Sequence, residues 1–450
     1  MLAGSGGFPR FNHHTVATLS RAAAAATGEV TLLFVTRAAC CIILGLAALT
    51  PAQAQTIPTA EYRERRAELR KSLDGVLVLM GAADPSDLHD TFYQEPDFEY
   101  LTGWHEPGAA LLLSPKDEIL FLPPRVANRE TYNGRTTGPD ERDAAEKAGV
   151  DHVLPRAELE THFLRAMESA EAIYALGGDA QARELARLAP LHDKRDAADS
   201  ITRFRLRKSA AEIALIRKAT EATVAAHRAA WKRMKPGLFE YQIAATMLKT
   251  YLELGCQRSA YTPIVASGPN GVVLHYSANQ RRMESGDLVL MDVGGEYAGY
   301  ATDVTRTVPA NGKFTPRQRE IYDIVLAAQK AAIAAVKPGM TLLGDSSTSL
   351  RKIALDYIDT HGKDLHGAPL GKYFVHGLGH FVGLEVHDPG SFDTRLEPGM
   401  VITIEPGIYL PEENLGIRIE DTLVVTANGA EVLSSALPKE AEEIEKLVGK

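Results

Sequence analysis

Cysteine is scarce in this chain: three in 450 residues, adjacent at Cys40 and Cys41 and single at Cys256. So few thiols exclude a disulfide framework and leave stability to a hydrophobic core, for which a chain of two or three domains with 45% hydrophobic residues has ample material. Long runs of lysine or arginine are missing as well. With a formal charge of −9 the electrostatic footprint of a nucleic-acid binder is absent, and no nucleic acid is expected as a partner. The apolar run from Ala38 to Leu49 has twelve residues, short of the ~20 that span a bilayer. It follows Arg10, Arg21 and Arg37 and leads into P-A-Q-A-Q, where Ala52 and Ala54 give the A-x-A pattern of a secretory cleavage site. Residues 1–54 are therefore expected to be a signal peptide cleaved after Ala54, giving a periplasmic protein with no stable membrane association. An uncleaved leader acting as a membrane anchor is the alternative. Loss of three arginines and Glu29 with the leader makes the charge −11 and leaves Cys256 as the one remaining thiol.

What is present is concentrated toward the C-terminal end. Val375 to Asp388 reads V-H-G-L-G-H-F-V-G-L-E-V-H-D, with His376, His380 and His387 among Gly377, Gly379 and Gly383. Glycines at that density let backbone and imidazoles crowd one point. Upstream, Asp292 ends an apolar run and Asp303 follows eleven residues later, with Gly294 and Gly295 between them. Two β-rich runs around glycines predict a hairpin or tight strand pair that brings these carboxylates together. Downstream, M-V-I-T-I-E-P-G-I-Y carries Glu405 and G-I-R-I-E-D-T-L-V-V carries Glu420, each acid in or at the end of a strand-like run. Buried acids are costly unless their charge is compensated, and a metal ion compensates strongly. Four carboxylates and one imidazole form an oxygen-rich set whose charge balances two divalent cations and favours manganese, iron, cobalt or zinc over copper(I).

These four motifs, in this order and spacing, resemble those of the pita-bread metallopeptidases, in particular the aminopeptidase P and prolidase branch, over roughly Phe204 to the C-terminus. The resemblance implies that Asp292, Asp303, His380, Glu405 and Glu420 hold a dinuclear centre, with Asp303 and Glu420 bridging. It further implies that His275, in V-L-H-Y, and His376 and His387 face the substrate, and that Glu405 doubles as the base. Two divalent ions per chain are expected, manganese first, with zinc or cobalt as alternatives. Self-association to a dimer or tetramer is implied in the same way. Arg418 stands two residues before Glu420, so the two share a strand face and the arginine is placed to orient a carboxylate ligand. Tyr409, after E-P-G-I, resembles another such supporting group.

Along the chain, Tyr62–Leu73 suits a short helix, D-G-V-L-V-L-M a buried strand ending at Met80, and 109–113 and 118–122 further strands, with helix-prone sequence at 158–170. An N-terminal α/β domain over 55–203 follows from this alternation, and F-E-Y-L-T-G-W-H-E-P at 98–107 resembles the creatinase-like N-terminal domain of the same branch. Trp104 and His105 either border a cleft or pack in a core and turn. Over 204–450 the order of helix, K-P-G, helix and two acidic strands occurs twice, with Lys235-Pro236-Gly237 and Lys337-Pro338-Gly339 as punctuation. It resembles the internal pseudo-twofold of the pita-bread fold. The class is thus α/β (α+β), a small N-terminal domain followed by a pita-bread domain.

The chemistry implied is metal-assisted amide hydrolysis: release of the N-terminal residue from peptides with proline in second position, through a water shared by the cations. His387 would protonate or stabilise the collapsing intermediate, while His275 and His376 hydrogen-bond the substrate. An Xaa-Pro dipeptidase, or prolidase, is the alternative, decided by whether a subsite after proline is open near 392–398 or 411–416. A creatinase-like hydrolase or metal-free binding protein on the same fold would lack the ligands that this sequence keeps.

Overall fold

The computed structural model describes residues 56–85, 90–344 and 346–450. The expected leader, its cleavage site, Cys40 and Cys41 lie outside the described residues.

G-V-L-V-L-M is apolar at nearly every position, the pattern of a strand covered on both faces, and β1 (Gly75–Met80) is buried throughout. Antiparallel β2 (Ala110–Leu113) and β3 (Glu118–Leu122) extend the sheet on one side. Parallel β4 (His152–Pro155), β5 (Ala172–Ala175) and β6 (Asp193–Asp196) complete it in the order β4-β3-β2-β1-β5-β6. Because side chains alternate along β1, Val76 and Val78 meet Phe163 and Met167 of the helix Leu159–Met167 on one face. On the other face Leu77 and Leu79 join Phe98, Trp104 and residues of the C-terminal half, including Ile216, Tyr300 and Val401. Trp104 is thus a core residue, and His105 is exposed with Nδ1 3.2 Å from Glu99 Oε2. Trp104 therefore packs in the core, whereas His105 lines a surface cavity with Tyr93, Arg258 and Glu296, and neither residue lines the cleft that holds His380. Arg203 lies inside the helix Ala198–Leu206, whose end at Arg207 leads into the next helix.

The C-terminal half opens on the helix Ala210–Arg233, capped as its sequence predicts: Glu212 N–H donates to Ser209 Oγ (3.1 Å) and Ser209 N–H to Glu212 Oε2 (2.9 Å). The helix Glu240–Glu253 ends before Gly255, whose φ of +86° suits a left-handed stop. The sequence also places Leu254 with Ile243, Met247 and Tyr251 on one apolar face of this helix, but Leu254 already lies in the cap and is exposed, while the other three are buried. Helices Pro316–Ala335 and Leu350–His361 repeat the pair. Strands follow each pair: β7 (Arg258–Ser259), β8 (Ile264–Ser267), β9 (Leu288–Val293), β10 (Gly295–Tyr297), β11 (Tyr300–Ala301) and β12 (Val304–Pro309) in the first half. The second half has β13 (Val401–Ile404), β14 (Gly407–Leu410), β15 (Leu415–Arg418), β16 (Asp421–Val425) and β17 (Ala430–Val432).

The strand wiring is also repeated. β9 pairs antiparallel with β12 around the hairpin β10-β11, and β13 pairs antiparallel with β16 around the hairpin β14-β15. Both K-P-G stops share a conformation and a role. Gly237 and Gly339 have φ of +92° and +89°, and each donates its N–H at 2.8 Å to a carbonyl ahead of its half's first acidic strand, Met283 and Leu396 respectively. The internal repeat expected from the sequence is therefore present in helices, turns and strands.

Candidate metal centre

The repeated wiring delivers the acids. Asp292 lies near the end of β9 and Asp303 just ahead of β12, so the antiparallel pairing of these strands sets them side by side. Glu405 follows β13 and Glu420 precedes β16 in the same manner. His380 is brought to them by close backbone approach. A Cβ on Gly379 would lie 2.0 Å from the Thr403 carbonyl, so only glycine fits there, and Thr403 N–H donates to the His380 carbonyl at 2.9 Å.

Asp292, Asp303, His380, Glu405 and Glu420 line one cavity of about 430 Å³, together with His275, His376, His387 and Arg418. His380 Nδ1 donates to the Phe381 carbonyl (3.1 Å) and turns Nε2 toward Asp303 Oδ2 (3.5 Å), Glu405 Oε1 (3.6 Å) and Glu420 Oε1 (3.9 Å). Asp303, His380 and Glu420 each offer a ligand atom, all within 4.8 Å of one another.

Burial and mutual repulsion disturb every charge in the set. Glu420 is pushed well above the usual carboxylate range by burial and by Asp303, Glu405 and Asp292. Burial takes Glu405 up to about 7, with His380 and Arg418 opposing, and raises Asp292 despite Arg418. Asp303 is held below its ordinary value, since His380 and Tyr261 outweigh its burial. His380 rises to about 9 because Asp303 and Glu405 overcome the effect of desolvation. Glu420 Oε1 is buried and accepts no hydrogen bond. An orphaned carboxylate oxygen among three further acids is costly for a protein on its own, and it is what a hard divalent cation satisfies. The donor set fits such a cation.

Supporting contacts sharpen the expectation for Arg418. It reaches across to Asp292 Oδ2 rather than along its own chain to the Glu420 carboxylate, and its Nη1 donates to Tyr409 Oη at 2.6 Å. Tyr409 Oη lies 2.9 Å from His376 Nε2, and His376 Nδ1 lies 2.7 Å from the Gly377 carbonyl. Both nitrogens of His376 are thus engaged within the protein, and burial followed by the nearby Arg418 lowers its pKa to about 4. His376 lines the cleft without a free nitrogen for a substrate. His387 stands on the rim, its ring centroid 4.3 Å from that of His380, and His275 is exposed to the cleft. Glu385, Asp388 and Asp421, acids in the same motifs, do not join the cluster: Asp388 pairs with Arg205 and Lys208, Glu385 with Arg205, and Asp421 with Arg306 and Lys439. Phe392 lines the cavity, whereas 411–416 forms a turn held by Arg317 on Glu413.

Sequence reasoning missed three supports. Tyr261 Oη contacts Asp303 Oδ1 and lies 2.5 Å from Asp292 Oδ1. Thr305 Oγ1 donates to Glu420 Oε2 at 2.6 Å, and Thr403 Oγ1 to Glu405 Oε1 at 3.3 Å. For the threonines a signal existed: each stands two residues from an acid along an acidic strand, on the same face.

Comparison with known proteins places the chain among metallopeptidases. The profile of metallopeptidase family M24 matches residues 214–427, and that of the aminopeptidase P N-terminal domain matches 62–174. The Xaa-Pro aminopeptidase of Escherichia coli K12 is 35% identical over 438 aligned residues, covering 87% of this chain and 98% of its own length. Among solved structures, proline aminopeptidase P II from Yersinia pestis superposes with a TM-score of 0.78 at 34% identity, covering 87% of this chain and 99% of that one. A zinc-substituted E. coli aminopeptidase P in complex with product gives 0.78 at 34%, covering 87% and 98%.

Proposed function

The chain belongs to metallopeptidase family M24, with the N-terminal domain of aminopeptidase P ahead of the catalytic half, and from that membership we propose that it is a metal-dependent Xaa-Pro aminopeptidase. It hydrolyses the bond between an N-terminal residue and a following proline. The observation that carries this reading is the convergence of Asp292, Asp303, His380, Glu405 and Glu420 on one cleft, with a buried Glu420 oxygen left unpaired. Two divalent ions, manganese first, are the proposed occupants, and Asp292, Asp303, His380, Glu405 and Glu420 would hold them.

Cations held by these residues would supply polarisation of the scissile carbonyl and acidification of the attacking water. The side chains do the rest. Glu405 takes the proton of the attacking water, and Tyr261 and Arg418 hold the Asp303 and Asp292 carboxylates in place. The leaving proline nitrogen has no hydrogen of its own and must gain one. We assign that delivery to His387, whose ring centroid lies 4.3 Å from that of His380. His275 faces the peptide across the cleft. A cavity of about 430 Å³, with Phe392 in its lining, suits the end of a peptide.

The test is turnover of an Xaa-Pro-Xaa tripeptide beside an Xaa-Pro dipeptide, before and after chelation. Tripeptide cleavage that stops on chelation and returns with manganese is expected. Cleavage of the dipeptide alone would make the protein a prolidase, and undiminished turnover after exhaustive chelation would refute the metal centre.

A further inference from the structure

Glu240, the first residue of the helix Glu240–Glu253, is wholly buried. Its carboxylate oxygens accept from a single loop. Ser267 N–H and Oγ, both at 2.7 Å, and Asn270 Nδ2, at 3.0 Å, donate to Oε1. Tyr276 Oη and Arg281 N–H, both at 2.8 Å, donate to Oε2. The backbone repeats the connection, with Glu240 N–H donating to the Arg281 carbonyl (3.0 Å) and Tyr241 N–H to that of Asn279 (2.9 Å). One oxygen thus holds the start of the segment 267–281 and the other its end. Leu274 and His275, next to Tyr276, are the loop residues that line the cleft.

We propose that Glu240 is a positioning residue for the reaction, clamping both ends of the 267–281 loop so that His275 stands at a fixed place over the cleft. This rests on the reading of His275 as substrate-facing. A buried carboxylate costs free energy that an apolar contact does not, so its return here lies in geometry. The geometry refers back to the metal ligands, because the loop leaves β8 at Ser267, which pairs with Val289, and the same strand at its other end pairs Ile264 with Asp292. An arm built from Glu240 and β8 therefore fixes His275 relative to the ligand strand.

Glu240→Gln keeps the shape and removes the clamp. Whichever way the amide turns, its NH2 faces a backbone N–H, that of Ser267 or that of Arg281, and one end of the loop is released. The test is a double-mutant cycle of Glu240→Gln with His275→Ala, read as kcat/KM on an Xaa-Pro tripeptide with manganese and as amide hydrogen exchange across 268–280. Glu240→Gln is expected to lower kcat/KM at least ~10-fold, the scale of one buried polar group set against another. In the His275→Ala background the further loss is expected to be under ~2-fold, because the clamp acts through that imidazole. Exchange in the loop should rise while β9 is unchanged. If Glu240→Gln fails to fold, Tyr276→Phe, which removes one donor beside His275, carries the same cycle with an expected loss of ~3-fold. Equal losses in both backgrounds, or loop exchange that does not change, overturn the proposal. A wild-type protein that leaves the tripeptide intact while the variant's loop still loosens refutes the activity and leaves the clamp standing.

Discussion

Gln329 offers a measurement of how the ligand strands are held. It is fully buried on the helix Pro316–Ala335, and its amide nitrogen lies 3.2 Å from the Ile404 carbonyl, 3.1 Å from the Ile419 carbonyl and 3.1 Å from Asp421 Oδ2. Its oxygen accepts from Lys439 Nζ at 2.9 Å. Ile404 and Ile419 immediately precede Glu405 and Glu420, so one side chain ties together the two strands that supply the second half's acids. In Gln329→Leu, Asp421 keeps Lys439 and Arg306, and the two carbonyls lose a buried donor. At ~1–3 kcal/mol for each buried group left unpaired, and with partial relief from the added apolar contact, the expected loss of stability is about 2–4 kcal/mol. Urea unfolding of the metal-free protein reads that loss. Manganese affinity, measured by calorimetry, should fall ~10-fold, the lower end for groups that support metal ligands. A variant within ~0.5 kcal/mol of wild type and with unchanged manganese affinity would show that the amide does not tie the strands, since surface-like substitutions have effects of that size.

Four further outcomes are expected. Asp303→Asn or Glu420→Gln should abolish tripeptide turnover with circular dichroism retained, and full activity in either would contradict the ligand assignment. Tyr261→Phe should weaken manganese binding ~10-fold by freeing Asp292 and Asp303, whereas unchanged affinity would make the tyrosine a bystander. Asp388 is held below its ordinary value because Lys208 and Arg205 outweigh its burial. A depressed folded-state value means that its stabilisation is present above the unfolded carboxylate value of ~3.9 and is lost as the pH falls through the lower folded value. Urea midpoints taken downward from pH 5 should therefore drop in wild type and drop less steeply in Asp388→Asn. Conversely, His376, lowered to about 4, is neutral in the fold, so its contribution is lost between an unfolded value of ~6.5 and 4. His376→Gln should flatten stability over that interval.

Much of the fold was legible because burial leaves a pattern. β1 is a continuous apolar run, as is β3 after Glu118, and Ser209 with Glu212 announces its helix. β6 left no trace, since D-K-R-D is an exposed edge strand whose charges suit solvent and discourage further pairing. The acids and His380 were readable because carboxylates ending apolar strands demand an explanation. Tyr261, Gln329 and Glu240 were not, because a tyrosine in a turn, a polar residue in a helix and an acid at a helix start all have ordinary uses. Their work depends on partners distant in sequence. For Arg418 the sequence indicates a support for a carboxylate but not which one, and the packing of β15 against β9 gives it to Asp292.

The proposed ligands are divided between the two halves: Asp292 and Asp303 come from the first, His380, Glu405 and Glu420 from the second. Neither half alone offers the whole of that set, so metal held by it would be captured only after the halves dock and would rivet that joint with its own binding free energy. Under metal starvation the molecule would lose durability along with turnover, and its lifetime in the presence of proteases would track the supply of the ion.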